Sequence, residues 1–266
     1  MNETTDQKTF GDFSIASLLL CGFLSAGLSF SGLLQSGHVN LLPFLFSFIG
    51  ILLFFLTEKA MNKKASENEK IINIFRTSMF VIALLVGFFF SLIAGTIYLL
   101  ITVYLWNSYH GFYIAPLLKR HILFKEFLES LIFIPVALFP VALGVPDKIF
   151  SPESQAYAFM ICSSFFIYKI CRRLDPKTFP DPPAPIHFYG YRTIFYCCLI
   201  ALLISVIGAD VAGMKFILWP LLLTVFFSLV LVLCDSSKFF VAEKVTEFAF
   251  YFQVWAGTLP LFISFA

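Results

Sequence analysis

Residues 78–118 read SMFVIALLVGFFFSLIAGTIYLLITVYLWNSYHGFYIAPLL, 41 residues without a formal charge. A helix needs roughly 20 residues to cross a hydrocarbon core. The stretch is therefore either one long span with an interfacial segment or two spans that turn near Ser91 to Gly95. The flanking charges decide, because Lys and Arg are retained on the cytoplasmic side of short loops. A single crossing puts the basic cluster before the stretch (Lys59, Lys63, Lys64, Lys70, Arg76) opposite the one after it (Lys119, Arg120, Lys125). Two crossings put them together. Nine spans in all, at 13–35, 39–57, 72–91, 93–117, 126–145, 155–171, 193–209, 214–234 and 245–265, leave only Lys148 and Lys215 of the 18 Lys and Arg residues on the far side. The expected topology is nine transmembrane helices with a cytoplasmic N-terminus and an outer C-terminus.

Composition carries the same reading. The chain is 59% hydrophobic and 13% charged, with 36 Phe in 266 residues. Its mean hydropathy is +0.90, more apolar surface than a soluble chain of this size buries. Alternating strand patterns are missing, and lipid offers no partner to open backbone groups, so the fold class is all-α, a polytopic membrane protein. Residues 1–266 read as one transmembrane domain with a short cytoplasmic tail, 1–12. The opening MNETTDQKTFG lacks the basic start and cleavage site of a signal peptide, so the first apolar run is expected to be retained. A net charge of +2 is a topology signal and an attraction to anionic headgroups, and it does not point to nucleic acid. The six cysteines lie in or beside apolar runs without metal-type pairing and are expected as small packing residues. Gly22, Ser25, Gly27, Ser29 and Gly32 in the first span let helices approach closely, with packing inside the bundle the expected use and dimerisation the alternative.

Polar chemistry collects in three cytoplasmic loops. The first, TEKAMNKKASENEKIINIFR (57–76), mixes Glu58, Glu67 and Glu69 with five basic residues and reads as a solvated helical extension. The second, WNSYHGFYIAPLLKRHILFKEFLES (106–130), puts Tyr109 and Tyr113 one turn apart ahead of Lys119 and Arg120. It is either an aromatic belt with basic anchors or one wall of a site for a lipid diphosphate. The third, RRLDPKTFPDPPAPIHFYGYR (172–192), follows Tyr168 and Lys169, each one turn before an arginine. Its prolines forbid continuous helix and stiffen a loop able to hold Asp175 and Asp181 near Arg172 and Arg173. Two carboxylates with cations suit a magnesium-bound diphosphate. They equally suit turn caps that neutralise the arginines.

Together these features resemble the UbiA superfamily of intramembrane prenyltransferases. The resemblance rests on the nine-span pattern, on YIAPLLKR (113–120) after span four, and on the acidic loop after span six ending in a glycine before span seven. It implies a helical bundle with a central cavity open to the cytoplasmic side and the membrane. There an isoprenyl diphosphate would be held by Mg2+, ionised to an allylic cation sheltered by aromatic faces, and passed to an aromatic or other lipophilic acceptor. On this resemblance Asp175 and Asp181 are the catalytic and metal-binding carboxylates. Lys119, Arg120, Arg172 and Arg173 neutralise phosphate, and Tyr109 and Tyr113 line the cavity. The departure is in the first acidic motif, where TEKAMNKKA (57–65) keeps only Glu58 and Asn62 and substitutes lysines, reversing the sign of the field. The alternative is a non-catalytic UbiA-like protein that binds a membrane lipid or assembles with a protein partner. A transporter ranks last, since intramembrane charge is almost absent apart from Glu126 and Glu129 at a helix entrance and Asp210 at the outer end. Nucleotide-binding glycine loops, zinc helix motifs and serine elbows are missing.

Overall fold

The computed structural model describes residues 15–37, 39–62, 65–109, 122–174, 185–234 and 238–258. Among them the structure is helical and contains no strand. Helices α1 (Ile15–Ser36), α2 (Leu41–Asn62), α3 (Ala65–Phe89) and α4 (Leu92–Tyr109) are followed by α5 (Ile122–Leu131) and α6 (Phe133–Gly144). Then come α7 (Pro152–Leu174), α8 (Pro185–Val211), α9 (Lys215–Cys234) and α10 (Phe239–Trp255). Only Ile132 separates α5 from α6, so the two make one rod. The described helices therefore form nine rods, at the places the charge pattern predicts. Six are long and apolar enough to cross a membrane: Ala16–Ser36, Leu41–Met61, Glu69–Phe89, Leu123–Gly144, Arg192–Val211 and Lys215–Cys234. The chain is an all-α, multi-pass integral membrane protein.

The uncharged stretch turns at Phe90 and Ser91. Ser91 starts α4, its hydroxyl accepting the Ala94 amide at 3.0 Å, the bond expected of a helix N-cap. The α3–α4 hairpin closes on glycine: a Cβ at Gly95 would lie 2.5 Å from Gly87 Cα. At the same end of the bundle, α8 turns into α9 through Gly213 at φ 74°. Met214 donates its amide to the Ala209 carbonyl at 2.8 Å, which satisfies a terminal carbonyl and needs a left-handed residue.

Helix α7 lies at the centre. Its residues 160–168 are buried without interruption, so every face meets protein and none has to be lipid-compatible. That is why Ser163 and Ser164 sit inside an apolar bundle, while Lys169, Arg172 and Arg173 follow beyond this stretch, where exposure rises. Ser163 and Ser164 bond Ser205 of α8 at 2.7 and 3.1 Å, and Ser164 also bonds Gln253 of α10. Ser31 of α1 and Tyr157 of α7 both donate to the Val254 carbonyl, at 2.8 and 3.1 Å. In the apolar layer above this polar seam, Phe133 is 1% exposed and its ring meets those of Phe54, Phe55, Phe165 and Phe250.

The first span's small residues work inside the bundle, as expected, at two of three glycines. A Cβ at Gly27 would lie 2.6 Å from Trp255, and one at Gly32 would lie 2.8 Å from Pro140, while Gly22 has open space. Some boundaries differ from the sequence reading. The seventh rod begins at Pro185 and bends at Gly190, φ 71°. The last begins at Phe239, because the charges of VAEKVTEF face protein and a cavity as well as solvent. The cysteines are free, and Cys21, Cys162, Cys171 and Cys198 are buried.

Candidate functional site

At the end of the bundle where α2 and α7 finish and α1 and α10 begin, these four helices enclose a cup of about 690 Å3. Leu20 and Leu24 of α1 and Phe55 of α2 make its apolar side, and Phe165 and Phe250 give it an aromatic floor. Charges line the remainder: Glu58 and Lys59 from α2, Lys169 and Arg172 from α7, and Glu243, Lys244 and Glu247 from α10. A hollow with a charged lining over an aromatic base suits a molecule that is polar at one end and apolar at the other.

Local structure explains the placement. Helix α7 carries Arg172 and Arg173 in its last turn, where the negative end of the helix dipole favours cations. Spacing of one turn puts Phe165, Tyr168 and Arg172 on the cup side. Tyr168 lies parallel to Phe250, 6.2 Å between centroids, and Arg172 sits beside the Tyr168 hydroxyl.

Most of the charge is spoken for. Glu126 of α5 is 0% exposed and pairs with Arg173 and, at 3.6 Å, with Lys169. Lys169 also bonds Glu129, which Lys125 approaches at 3.5 Å. This network ties α5 to α7 behind the cup. Lys169 further stands 5.3 Å from the Phe165 ring centroid, a cation over an aromatic face. On α10, Glu247 receives Lys244 at 2.8 Å and the Tyr251 hydroxyl at 3.0 Å. Glu58, half-buried, together with Lys59 and Arg172, lines the cup without an ion pair to a described residue.

Of the residues singled out from sequence, Arg172 reaches the cup and Arg173 turns away to Glu126. Tyr109 closes α4, and its side chain lies outside the described residues, as do Tyr113, Lys119, Arg120, Asp175 and Asp181 altogether. Glu58, read as part of a solvated extension, lines the cup instead. Arg76, from the same stretch, is 7% exposed and lies 5.1 Å from the Trp106 ring centroid. Lys169, Glu243, Lys244, Glu247 and Tyr251 were not singled out for the site. The i, i+4 pair Glu243 and Glu247 was the available signal, and it is indistinguishable in sequence from a solvated face.

No three His, Cys, Asp or Glu side chains among the described residues converge to hold a metal ion. Two further hollows are lateral and apolar. One, between α8 and α9, is lined by Leu203, Trp219 and Phe226; the other, among α5, α7 and α8, by Phe127, Phe166 and Ile200. No protein-family model, no characterised protein and no solved structure matches the chain.

Proposed function

We propose that the chain binds an amphipathic membrane lipid in the cup, its phosphorylated head against Arg172 and Lys59 and its tail along Leu20, Leu24, Phe55 and Phe165. One observation carries the reading: two cations without a carboxylate partner among the described residues stand over an apolar wall at the polar end of the bundle. Arginine offers a planar fork of donors that matches phosphate oxygens, and lysine adds a mobile charge. The clustering of basic residues at this end supports a cytoplasmic orientation for it. Titration with phospholipids and with farnesyl and geranylgeranyl diphosphate, read by native mass spectrometry, tests the reading. The Arg172→Ala/Lys59→Ala double variant should bind phosphorylated lipids at least about tenfold more weakly, the size of one lost charge-assisted bond. Equal binding by the variant removes the assignment.

A second reading is prenyl transfer, as the UbiA resemblance suggests. It is favoured by the meeting of the α2 and α7 ends at one cup, since these are the two segments that the resemblance makes acidic and metal-binding. Of the described carboxylates, Glu126 is taken by Arg173 and Lys169 and Glu247 by Lys244 and Tyr251, which leaves Glu58 as the one carboxylate of the cup without an ion pair to a described residue. Asp175 and Asp181 would have to hold Mg2+, which would supply charge neutralisation at a leaving diphosphate. The expected result on this reading is magnesium-dependent release of diphosphate from geranylgeranyl diphosphate, lost in Asp175→Asn/Asp181→Asn. Undiminished release in that variant would end it.

A further inference from the structure

We infer that the headgroup the cup selects carries a protonated primary amine beside its phosphate, as a phosphoethanolamine lipid does. The inference rests on the lipid-binding reading and concerns Glu58. Three ionisable side chains line the cup without an ion pair to a described residue, two of them basic, Arg172 and Lys59, and one acidic, Glu58. The other acidic and basic groups facing the space are the paired Lys169, Lys244 and Glu247, and Glu243, which lies 3.9 Å from Lys244.

A purely anionic head would neutralise Arg172 and Lys59 and leave the Glu58 carboxylate facing phosphate oxygens, a like-charge contact in a half-enclosed space. A head with phosphate and ammonium a few bonds apart answers all three side chains at once. Its phosphate goes to the arginine and lysine, and its N–H donors go to the Glu58 oxygens. The aromatic faces favour the same species. Phe165 already receives one ammonium, that of Lys169, and Tyr168 and Phe250 stand beside it in parallel, so a second cation at the floor meets ring faces as well as a carboxylate. A trimethylammonium head carries the same charge and has no N–H to donate, so Glu58 discriminates between the two amines through hydrogen bonding.

The test uses the full-length protein in detergent, titrated separately with dioleoyl phosphatidylethanolamine, phosphatidylcholine and phosphatidylglycerol, with bound lipid counted by native mass spectrometry. The expected result is a preference of about tenfold for the ethanolamine lipid over the glycerol lipid, the worth of one hydrogen bond to a charged group. Glu58→Gln, nearly isosteric, should erase that preference while phosphatidylglycerol binding holds or improves. Equal binding of the ethanolamine and glycerol lipids by the native chain overturns the amine assignment and leaves lipid binding standing. Equal binding of choline and ethanolamine lipids overturns the hydrogen-bonding role of Glu58. Retention of no lipid by the native chain removes both this inference and the reading beneath it. A lipid-induced rise in thermal midpoint, measured on both proteins, separates a Glu58→Gln variant that has lost selectivity from one that has lost its fold.

Discussion

Replacing Lys169 by methionine should lower the stability of the purified protein by about 1.5–3 kcal/mol, the range for losing a hydrogen bond to a charged group. The reason is asymmetric desolvation. Lys169 is shared between Glu126, which is 0% exposed, and Glu129. Removing the lysine leaves two carboxylates one turn apart on α5 with one cation each, Arg173 and Lys125, and a buried negative charge has little water to fall back on. Removing Glu126 instead costs less, because Lys169 keeps Glu129 and the Arg173 side chain is 31% exposed. SDS titration of unfolding in mixed micelles measures both. The decisive comparison is Lys169→Met/Glu126→Gln, which should regain more than half of the loss by neutralising the buried carboxylate left with Arg173 alone. A single Lys169→Met loss below about 1 kcal/mol, the scale of an exposed pair, would mean that water reaches Glu126.

That network also marks where sequence reading stops. The nine rods were legible because two long-range constraints act on them at once: hydrocarbon thickness sets span length, and Lys and Arg set side. Even the turn inside the uncharged stretch follows, since only a hairpin near Ser91 brings the flanking basic clusters together. What the sequence does not carry is which face of a helix meets which neighbour. Glu126 and Glu129 read as charges at a helix entrance, and Glu58 as one of three acids mixed with five basic residues. Periodicity averages over such a segment, whereas burial separates its members: Arg76 is tucked against Trp106, and Glu58 turns into the cup. Arg172 and Arg173 are neighbours in sequence with identical chemistry. The 100° between successive helical residues sends one to the cup and the other to Glu126.

Gly95→Ala should destabilise the protein by about 1–3 kcal/mol, the cost of overpacking a close contact, while Gly87→Ala stays within about 0.5 kcal/mol. The two glycines face each other across the α3–α4 hairpin, yet they are not equivalent. A Cβ at Gly95 meets the Cα and backbone nitrogen of Gly87 at 2.5 and 2.8 Å and the Ala83 carbonyl at 3.0 Å, and none of these can rotate away. A Cβ at Gly87 meets only the Gly95 Cα, at 3.5 Å, an ordinary contact. Helix propensity favours alanine at both positions, so a difference between the two variants isolates the packing term. Relief requires α4 to move outward, and α4 is not free to do so: Tyr98, one turn on and fully buried, donates its hydroxyl to the Gly50 carbonyl of α2 at 2.7 Å. The strain therefore loads the α2–α4 contact without entering the cup, which α1, α2, α7 and α10 build between them. Thermal unfolding should separate Gly95→Ala from Gly87→Ala, while lipid titration of the folded protein should not. A fall in lipid binding that tracks the stability loss would mean that the hairpin holds the α2 end of the cup in place.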